Sequence, residues 1–219
     1  MARTRALSHS EKAVVLSYLR AKPNLRDYLL LRTLCATGFR IKEALSLRVC
    51  DVAIGQVIRS EITLDRKRMK GGRGDYKRSV RTRRVVLSDT LRKEWEVYLS
   101  ERYTFRAWPG DEVLFASRNG ENNPLSRRHA YEIIRGAARA CGITGAIGCH
   151  SGRKTFAQEV YDRTGHCLMK TQRALGHANI TTTCAYLFVD DADVDEAVRS
   201  LDGNSQSLRI GATSVQSLG

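Results

Sequence analysis

The stretch Leu175-Gly176-His177-Ala178-Asn179-Ile180-Thr181-Thr182-Thr183-Cys184-Ala185-Tyr186 is the one on which the reading of this chain turns. Apolar spacing around it predicts two helices, at about Leu168 to Leu175 and Ile180 to Tyr186, with Gly-His-Ala-Asn between them. A helical tyrosine ordinarily just packs, so Tyr186 alone carries little. Two distant segments change its weight. One is Thr37-Gly38-Phe39-Arg40-Ile41-Lys42-Glu43-Ala44-Leu45-Ser46-Leu47, where Glu43 falls three residues after Arg40 and can orient its guanidinium. The other is His150-Ser151-Gly152-Arg153-Lys154-Thr155-Phe156-Ala157, where His150 and Arg153 share a helix face. Taken singly, these are a solvated helix acid and a surface pair.

Outward from these segments the chain reads as mostly helical. Ser8 and Glu11 have capping-box spacing, and Val14, Val15, Tyr18 and Leu19 follow as a helical stripe. A second helix is expected from about Leu25 to Thr37, where Gly38 can take the left-handed stop conformation, and a short one follows through Arg40, Ala44 and Leu45. Val57 to Leu64 alternates like a half-buried strand, and Arg84-Val85-Val86-Leu87 is a second strand. Asp89 is placed to cap a helix containing Leu91, Trp95, Tyr98 and Leu99, and Ser126 one carrying Tyr131, Ile134 and Ala138. Further helices are expected at about Ser151 to Arg163 and Ala192 to Leu201. Residues 1–202 are read as one domain and 203–219, rich in Ser, Gly and Gln, as a loose tail.

The balance of charge is unusual. There are 37 Lys+Arg against 23 Asp+Glu, a net +14 and a sequence pI near 9.9, which favours a polyanionic partner. Between Arg59 and Arg84 stand eleven Lys or Arg and three acids, a net +8. This segment reads as a basic hairpin laid against phosphates, with Arg66, Lys67, Arg68, Arg73 and Arg78 as candidate DNA contacts. No apolar run is long enough to span a bilayer, and no apolar stretch follows the basic N-terminus. The six cysteines form no CxxC pair, which suits reduced thiols in a cytosolic protein. Cys149-His150, His166-Cys167, His177 and Cys184 match no standard zinc spacing, so no metal is expected.

Taken together and in order, the three segments resemble the conserved boxes of the tyrosine recombinase, or phage integrase, family. Those boxes read T-G-x-R-x-x-E-x-x-x-L, then H-x-x-R-x-T-F-A, then L-G-H with a tyrosine nine residues on. The resemblance covers about Leu7 to Leu201. It implies a mostly α fold with a small, three-stranded antiparallel sheet, as in type IB topoisomerases. It also implies site-specific cleavage and rejoining of DNA through a 3′-phosphotyrosyl link. The residue types suit that chemistry: Tyr186 as nucleophile, Arg40 and Arg153 as a phosphate clamp, His150 and His177 as hydrogen-bond donors, and Glu43 in support. The covalent link conserves the phosphodiester energy, so no nucleotide cofactor is expected.

The family also carries a hairpin lysine as acid for the leaving oxygen. Met69-Lys70-Gly71-Gly72 fits its entry and Arg83-Arg84-Val85-Val86-Leu87 its exit, with Val86 in place of proline. Lys70 is preferred and Lys77 stays open, because the turn is longer than usual. Lys154 stands where the family often has His or Arg. The resemblance puts the catalytic domain almost at Met1, as in small single-domain members such as the fimbrial invertases, unless an accessory DNA-bending or core-binding partner supplies the grip. The partners expected are double-stranded DNA and three further copies of the chain on paired sites. The free protein is expected to be a monomer, cytoplasmic and nucleoid-associated. Residues Val189 to Asp202 hold six acids against one Arg, so they are not expected to lie on DNA; the resemblance implies a terminal helix docked on a neighbouring subunit, with packing against its own domain as the alternative. Two alternatives stay open: DNA relaxation of the type IB topoisomerase kind, and a DNA-binding regulator with reduced catalysis.

Overall fold

The computed structural model describes residues 4–65, 82–188 and 191–203. They divide into two compact units, Met1–Leu187 and Phe188–Gly219.

The first unit is built on α2 (Leu25–Thr37). Leu29, Leu30, Leu31 and Leu34 on this helix are all fully buried, and an all-round apolar helix belongs in the middle of a bundle. It packs against α1 (His9–Arg20), α3 (Ile41–Leu45), α5 (Asp89–Arg102), α6 (Arg127–Ala140) and α7 (Cys149–Arg163). Cutting Leu30 or Leu34 to alanine would cost about 2–5 kcal/mol. Trp95 of α5 lies in the same core and donates through Nε1 to Thr33 Oγ1 at 3.1 Å. The remaining helices are α4 (Val49–Val52), α8 (Leu168–Leu175) and α9 (Ile180–Cys184), with α10 (Asp191–Gly203) in the second unit. In α10, Arg199 and Asp195 form an i,i+4 ion pair at 3.8 Å.

The local signals near the N-terminus are realised. Ser8 accepts from Glu11 N while Glu11 accepts from Ser8 N, closing the capping box. Gly38 ends α2 at φ +61, and a side chain there would run into the ring of Phe156, so only glycine fits. Other boundaries shift. Ser88, one residue before Asp89, is the cap of α5. Tyr131 lies on the exposed side of α6, whose buried residues are Ala130, Ile134, Ala137 and Ala138.

Among the described residues, two separate two-stranded sheets stand where a three-stranded sheet was expected, with Val57 to Leu64 broken between them. β1 (Ala53–Ile54) pairs with β2 (Val57–Ile58), and β3 (Glu61–Leu64) pairs with β4 (Arg83–Val86), both antiparallel. The break has a cause. Arg59 N–H goes back to Val52 O at 2.8 Å, while Ser60 O receives Leu87 N–H at 2.8 Å. One extended segment thus changes partner at residues 59 and 60. Among the described residues no helix is long and apolar enough to cross a membrane.

Candidate active site

Three helix ends converge on a buried polar centre. At the first, the chain leaves α2 through Gly38 and turns into α3 with Arg40 as its N-cap. Glu43 holds both ends of that residue. Its Oε2 accepts from the Arg40 backbone N at 2.8 Å, and its Oε1 from Arg40 Nη1 at 2.9 Å. Glu43 is only 1% exposed, so an uncompensated carboxylate there would be costly, and the guanidinium supplies the compensation.

At the second end, the first turns of α7 carry His150 and Arg153. Arg153 is fully buried. Its Nη1 donates to Gly38 O, and its Nη2 to Leu175 O at 2.9 Å and to His177 Nε2 at 2.8 Å. A guanidinium has no acceptor, so His177 Nε2 accepts and the imidazole proton sits on Nδ1, where it donates to Thr183 Oγ1 at 3.0 Å. Burial, then Arg153, Arg40 and Arg83, push the His177 pKa down to about 3, so the ring is neutral. Burial and then Arg40 lower Arg153 to about 10, with Glu43 and Tyr186 opposing, which leaves it charged at neutral pH. Its Nε is buried without a hydrogen-bond partner, an unsatisfied donor that ordinarily signals more than packing.

The third end is the Leu175-Gly176-His177 corner after α8, followed by α9 and Tyr186. The tyrosine is half-buried and stands just past α9, in the turn that closes it, not on a helix as expected. Ala185 caps α9, and Tyr186 N–H reaches Thr183 O at 2.9 Å. Its ring meets His177 edge-on at 5.0 Å between centroids and lies 5.7 Å from the Arg153 guanidinium carbon. Residues 40, 43, 153, 177 and 186, scattered over most of the sequence, therefore share one small volume. The geometry offers a phenol beside two guanidinia and a neutral imidazole, a set fitted to attack on a phosphorus centre.

The phage integrase family pattern matches residues 5–193. The chain belongs to that family. It is 30% identical over 180 residues to the probable integrase/recombinase YoeC of Bacillus subtilis, covering 82% of this chain and 87% of YoeC. It is 28% identical over 184 residues to tyrosine recombinase XerD of Oceanobacillus iheyensis, covering 83% of this chain and 56% of that one. The fold matches the XerH site-specific recombinase, solved bound to a palindromic difH substrate as a post-cleavage complex. The TM-score is 0.68 at 24% identity, over 88% of this chain and 51% of that one. The chain thus spans little more than half the length of the Xer proteins it matches.

Within this integrase-family fold, the expected residues Arg40, Glu43, Arg153, His177 and Tyr186 come together. His150 sits on the exposed rim, beside a cavity of about 370 Å³ lined by Thr4, Ile41, Arg127, Arg128, Tyr131, Cys149 and His150. Partial desolvation, then Arg153, Arg127, Arg40 and Lys154, lower its pKa. Lys70, Lys77, Arg66, Lys67, Arg68, Arg73 and Arg78 lie outside the described residues. Among the described residues no group of three or more His, Cys, Asp or Glu could hold a metal ion.

Two features of the integrase-family site escaped the sequence reading. The exposed face of α6 carries Arg127, Arg128, Arg135 and Arg139 against Glu132 alone. Their successive separations of 1, 7 and 4 residues, which keep them on one side of a helix, were available as a signal but were overshadowed by the denser hairpin charge. The other is Arg83, counted with that hairpin, which is 6% exposed. Its place opposite Arg84 in an alternating strand was the clue, because Val85 shares its inward face.

Proposed function

We propose that this chain is a site-specific DNA recombinase that cuts and rejoins strands through Tyr186. One observation carries the reading: the Tyr186 ring lies against His177 and Arg153, while Arg153 and Arg40 are tied through Gly38 and Glu43 into one rigid cation pair. Tyr186 Oη gives up its proton to water and attacks the scissile phosphorus, the bond from phosphorus to the 5′ oxygen breaks, and that oxygen takes a proton. The products are a 3′-phosphotyrosyl bond and a free 5′-hydroxyl, and the reverse attack by another 5′-hydroxyl rejoins the strand. Arg40 and Arg153 meet the charge growing on the nonbridging oxygens. The proton on the leaving oxygen comes from Lys70, with Lys77 as the alternative source.

Grip on the duplex falls to the exposed α6 arginines and to the basic hairpin, with phosphate contacts setting position and salt dependence. The Xer relatives are named as recombinases, and the matched XerH was solved on DNA, which supports the same substrate class here. The functional form proposed is four copies on paired sites, with the acidic terminal helix docked on a neighbour and the free chain a monomer. Residues 1–202 act as the catalytic domain. A DNA substrate would keep the protein with the nucleoid in the cytoplasm.

The test is incubation with nicked suicide duplexes made from the DNA flanking the gene. Recombination predicts an SDS-resistant adduct on one defined strand, lost in Tyr186→Phe, and exchange between two such duplexes. Supercoil relaxation without exchange would favour a topoisomerase, and binding without an adduct a regulator.

A further inference from the structure

The strand β4 opens with an arginine where its alternation demands an apolar side chain. Arg83 pairs in register with Leu64, points inward with Val85, and lies under the site with its guanidinium carbon 5.4 Å from the centre of the Phe39 ring. Nη2 donates to Thr37 O at 2.6 Å and to Ala174 O at 2.6 Å, and Nη1 to Gly38 O at 3.4 Å. Glu43 Oε2 is 4.0 Å from Nη1. Thr37 closes α2 and Ala174 lies one residue from the end of α8, so these carbonyls are among those a helix leaves without internal partners. They are also the negative ends of two helix dipoles. Arg153 takes the next carbonyl on each side, Gly38 O and Leu175 O. The two helix ends are therefore clipped together by two guanidinia, and that of Arg153 also faces the Tyr186 ring. The corner after α8 is shaped to admit the clip: Gly176 has φ +64, and a Cβ there would come within 3.0 Å of Arg83 Cδ.

We propose that Arg83 is a positioning residue for DNA cleavage, fixing the loop that bears Arg40 against the corner that bears His177, and that it makes no contact with DNA. The inference rests on the recombinase reading above. Its chemistry follows from the geometry. The clip holds two helix ends whose spacing sets the separation of Arg40 from Arg153 and Tyr186, and misplacement of such groups by about 1 Å can cost on the order of 10²-fold in rate. Burial and then Arg153 lower the Arg83 pKa to about 9, with Glu43 opposing, so the side chain is cationic at neutral pH and its charge is spent inside the protein.

The experiment compares full-length Arg83→Lys and Arg83→Met with wild type on a suicide duplex and on the same duplex with a neutral methylphosphonate at the scissile position. Wild type must form the adduct on the ordinary duplex; if it does not, the recombinase reading fails and not this one. Given that adduct, the expected result is a cleavage rate lower by on the order of 10²-fold in both variants. Lysine should not restore it, because one ammonium cannot span both helix ends. Gel-shift affinity and its salt slope should stay at wild-type values. On the methylphosphonate, which has less need of two aligned guanidinia, the gap to wild type should shrink to under about tenfold. A salt slope shallower by about 0.9 would make Arg83 a phosphate contact and overturn the proposal. So would equal losses on the two substrates, full rescue by lysine, or failure of both variants to fold, each of which reduces Arg83 to a support of the fold.

Discussion

Arg153 of α7 and Arg135 of α6 are the same residue type on neighbouring helices, and they show what burial does to a guanidinium. Arg153 is enclosed, with two backbone carbonyls and an imidazole as acceptors, so its position is determined by the fold. Arg135 is exposed and bonds Tyr131 on its own helix, so nothing from another element among the described residues fixes its position. An enclosed cation acts through geometry, in a setting where little solvent has to reorganise when charge develops. An exposed one acts through counterion release, which is additive and insensitive to exact placement. The two regions should therefore fail in different ways: loss in the centre stops chemistry, and loss on the surface loosens grip.

The sharpest separation is at Tyr186. Tyr186→Phe keeps the ring against His177 and removes only the hydroxyl. Adduct formation should fall below detection while half-site affinity stays within about twofold, because a single neutral hydroxyl contributes little to binding. An SDS-resistant adduct from the Phe protein would remove Tyr186 from the centre of the comparison. Next come Arg40→Ala and Arg153→Ala, each expected to slow cleavage on the order of 10²-fold or more with far smaller change in gel-shift affinity. Arg153→Ala should also lower thermal stability, since Leu175 O loses its partner and Gly38 O keeps only the long bond from Arg83, at about 1–3 kcal/mol for a buried group left unsatisfied. Parallel losses of affinity and rate would mean that the buried arginines merely hold DNA, as surface ones do.

The neutral His177 gives the comparison a pH signature. Its folded pKa of about 3 lies below the ordinary 6.5, so between those values the unfolded chain binds the extra proton. Stability from this group is complete above pH 6.5 and falls as pH drops toward 3, at a slope near 1.4 kcal/mol per unit. Denaturant melts of wild type and His177→Gln at pH 7 and pH 5 should differ, wild type losing roughly 2 kcal/mol more over that interval. Glu11, held at about 2 by its hydrogen bond to Arg5, adds its own acid sensitivity only below its ordinary 4.5 and is common to both proteins. Coincident pH slopes would mean that His177 takes up its proton in the fold as readily as in the unfolded chain, and a wild-type slope of opposite sign would mean that it serves the site as a cation.

Much of this was legible in the residues, for reasons that are local. The Ser8–Glu11 box, the bounds of α2 and the stop at Gly38 depend on neighbours within one helical turn, and sequence spacing states them directly. The set Arg40, Glu43, Arg153, His177 and Tyr186 was legible through its family resemblance, while its convergence is tertiary. What escaped depends on distant partners. The strand from Val57 breaks because Val52 O captures Arg59 N–H, and no local propensity marks that capture. Arg83 was counted as surface charge because a tally cannot see Thr37 O and Ala174 O waiting beneath it. His177 was expected to donate a hydrogen bond, yet the Arg153 guanidinium leaves its Nε2 only the acceptor's part.

The smallest expected effect tests the surface side. Arg127, Arg128, Arg135 and Arg139 face outward from α6, and the only carboxylate interleaved among them, Glu132, is taken up by Arg128 at 3.0 Å. If they lie along the phosphate backbone, each releases about one counterion on binding, whatever the base sequence. Arg135→Ala and Arg139→Ala should then each reduce the slope of log affinity against log salt by about 0.9 and weaken specific and unrelated duplexes alike. The two losses should add, as independent exposed sites do. At saturating DNA the cleavage rate should match wild type, because neither side chain belongs to the clip that sets Arg40, Arg153 and Tyr186. Arg127 is the informative exception, since it borders the His150 cavity and is among the charges that depress the His150 pKa. Arg127→Ala should lower the salt slope like the others but also shift the pH profile of cleavage upward where His150 titrates, since removing a neighbouring cation lets the imidazole protonate more readily. A slope change without that pH shift would place Arg127 wholly with the surface; a pH shift without a slope change would place it with the centre, and the boundary between the two regions would move by one residue.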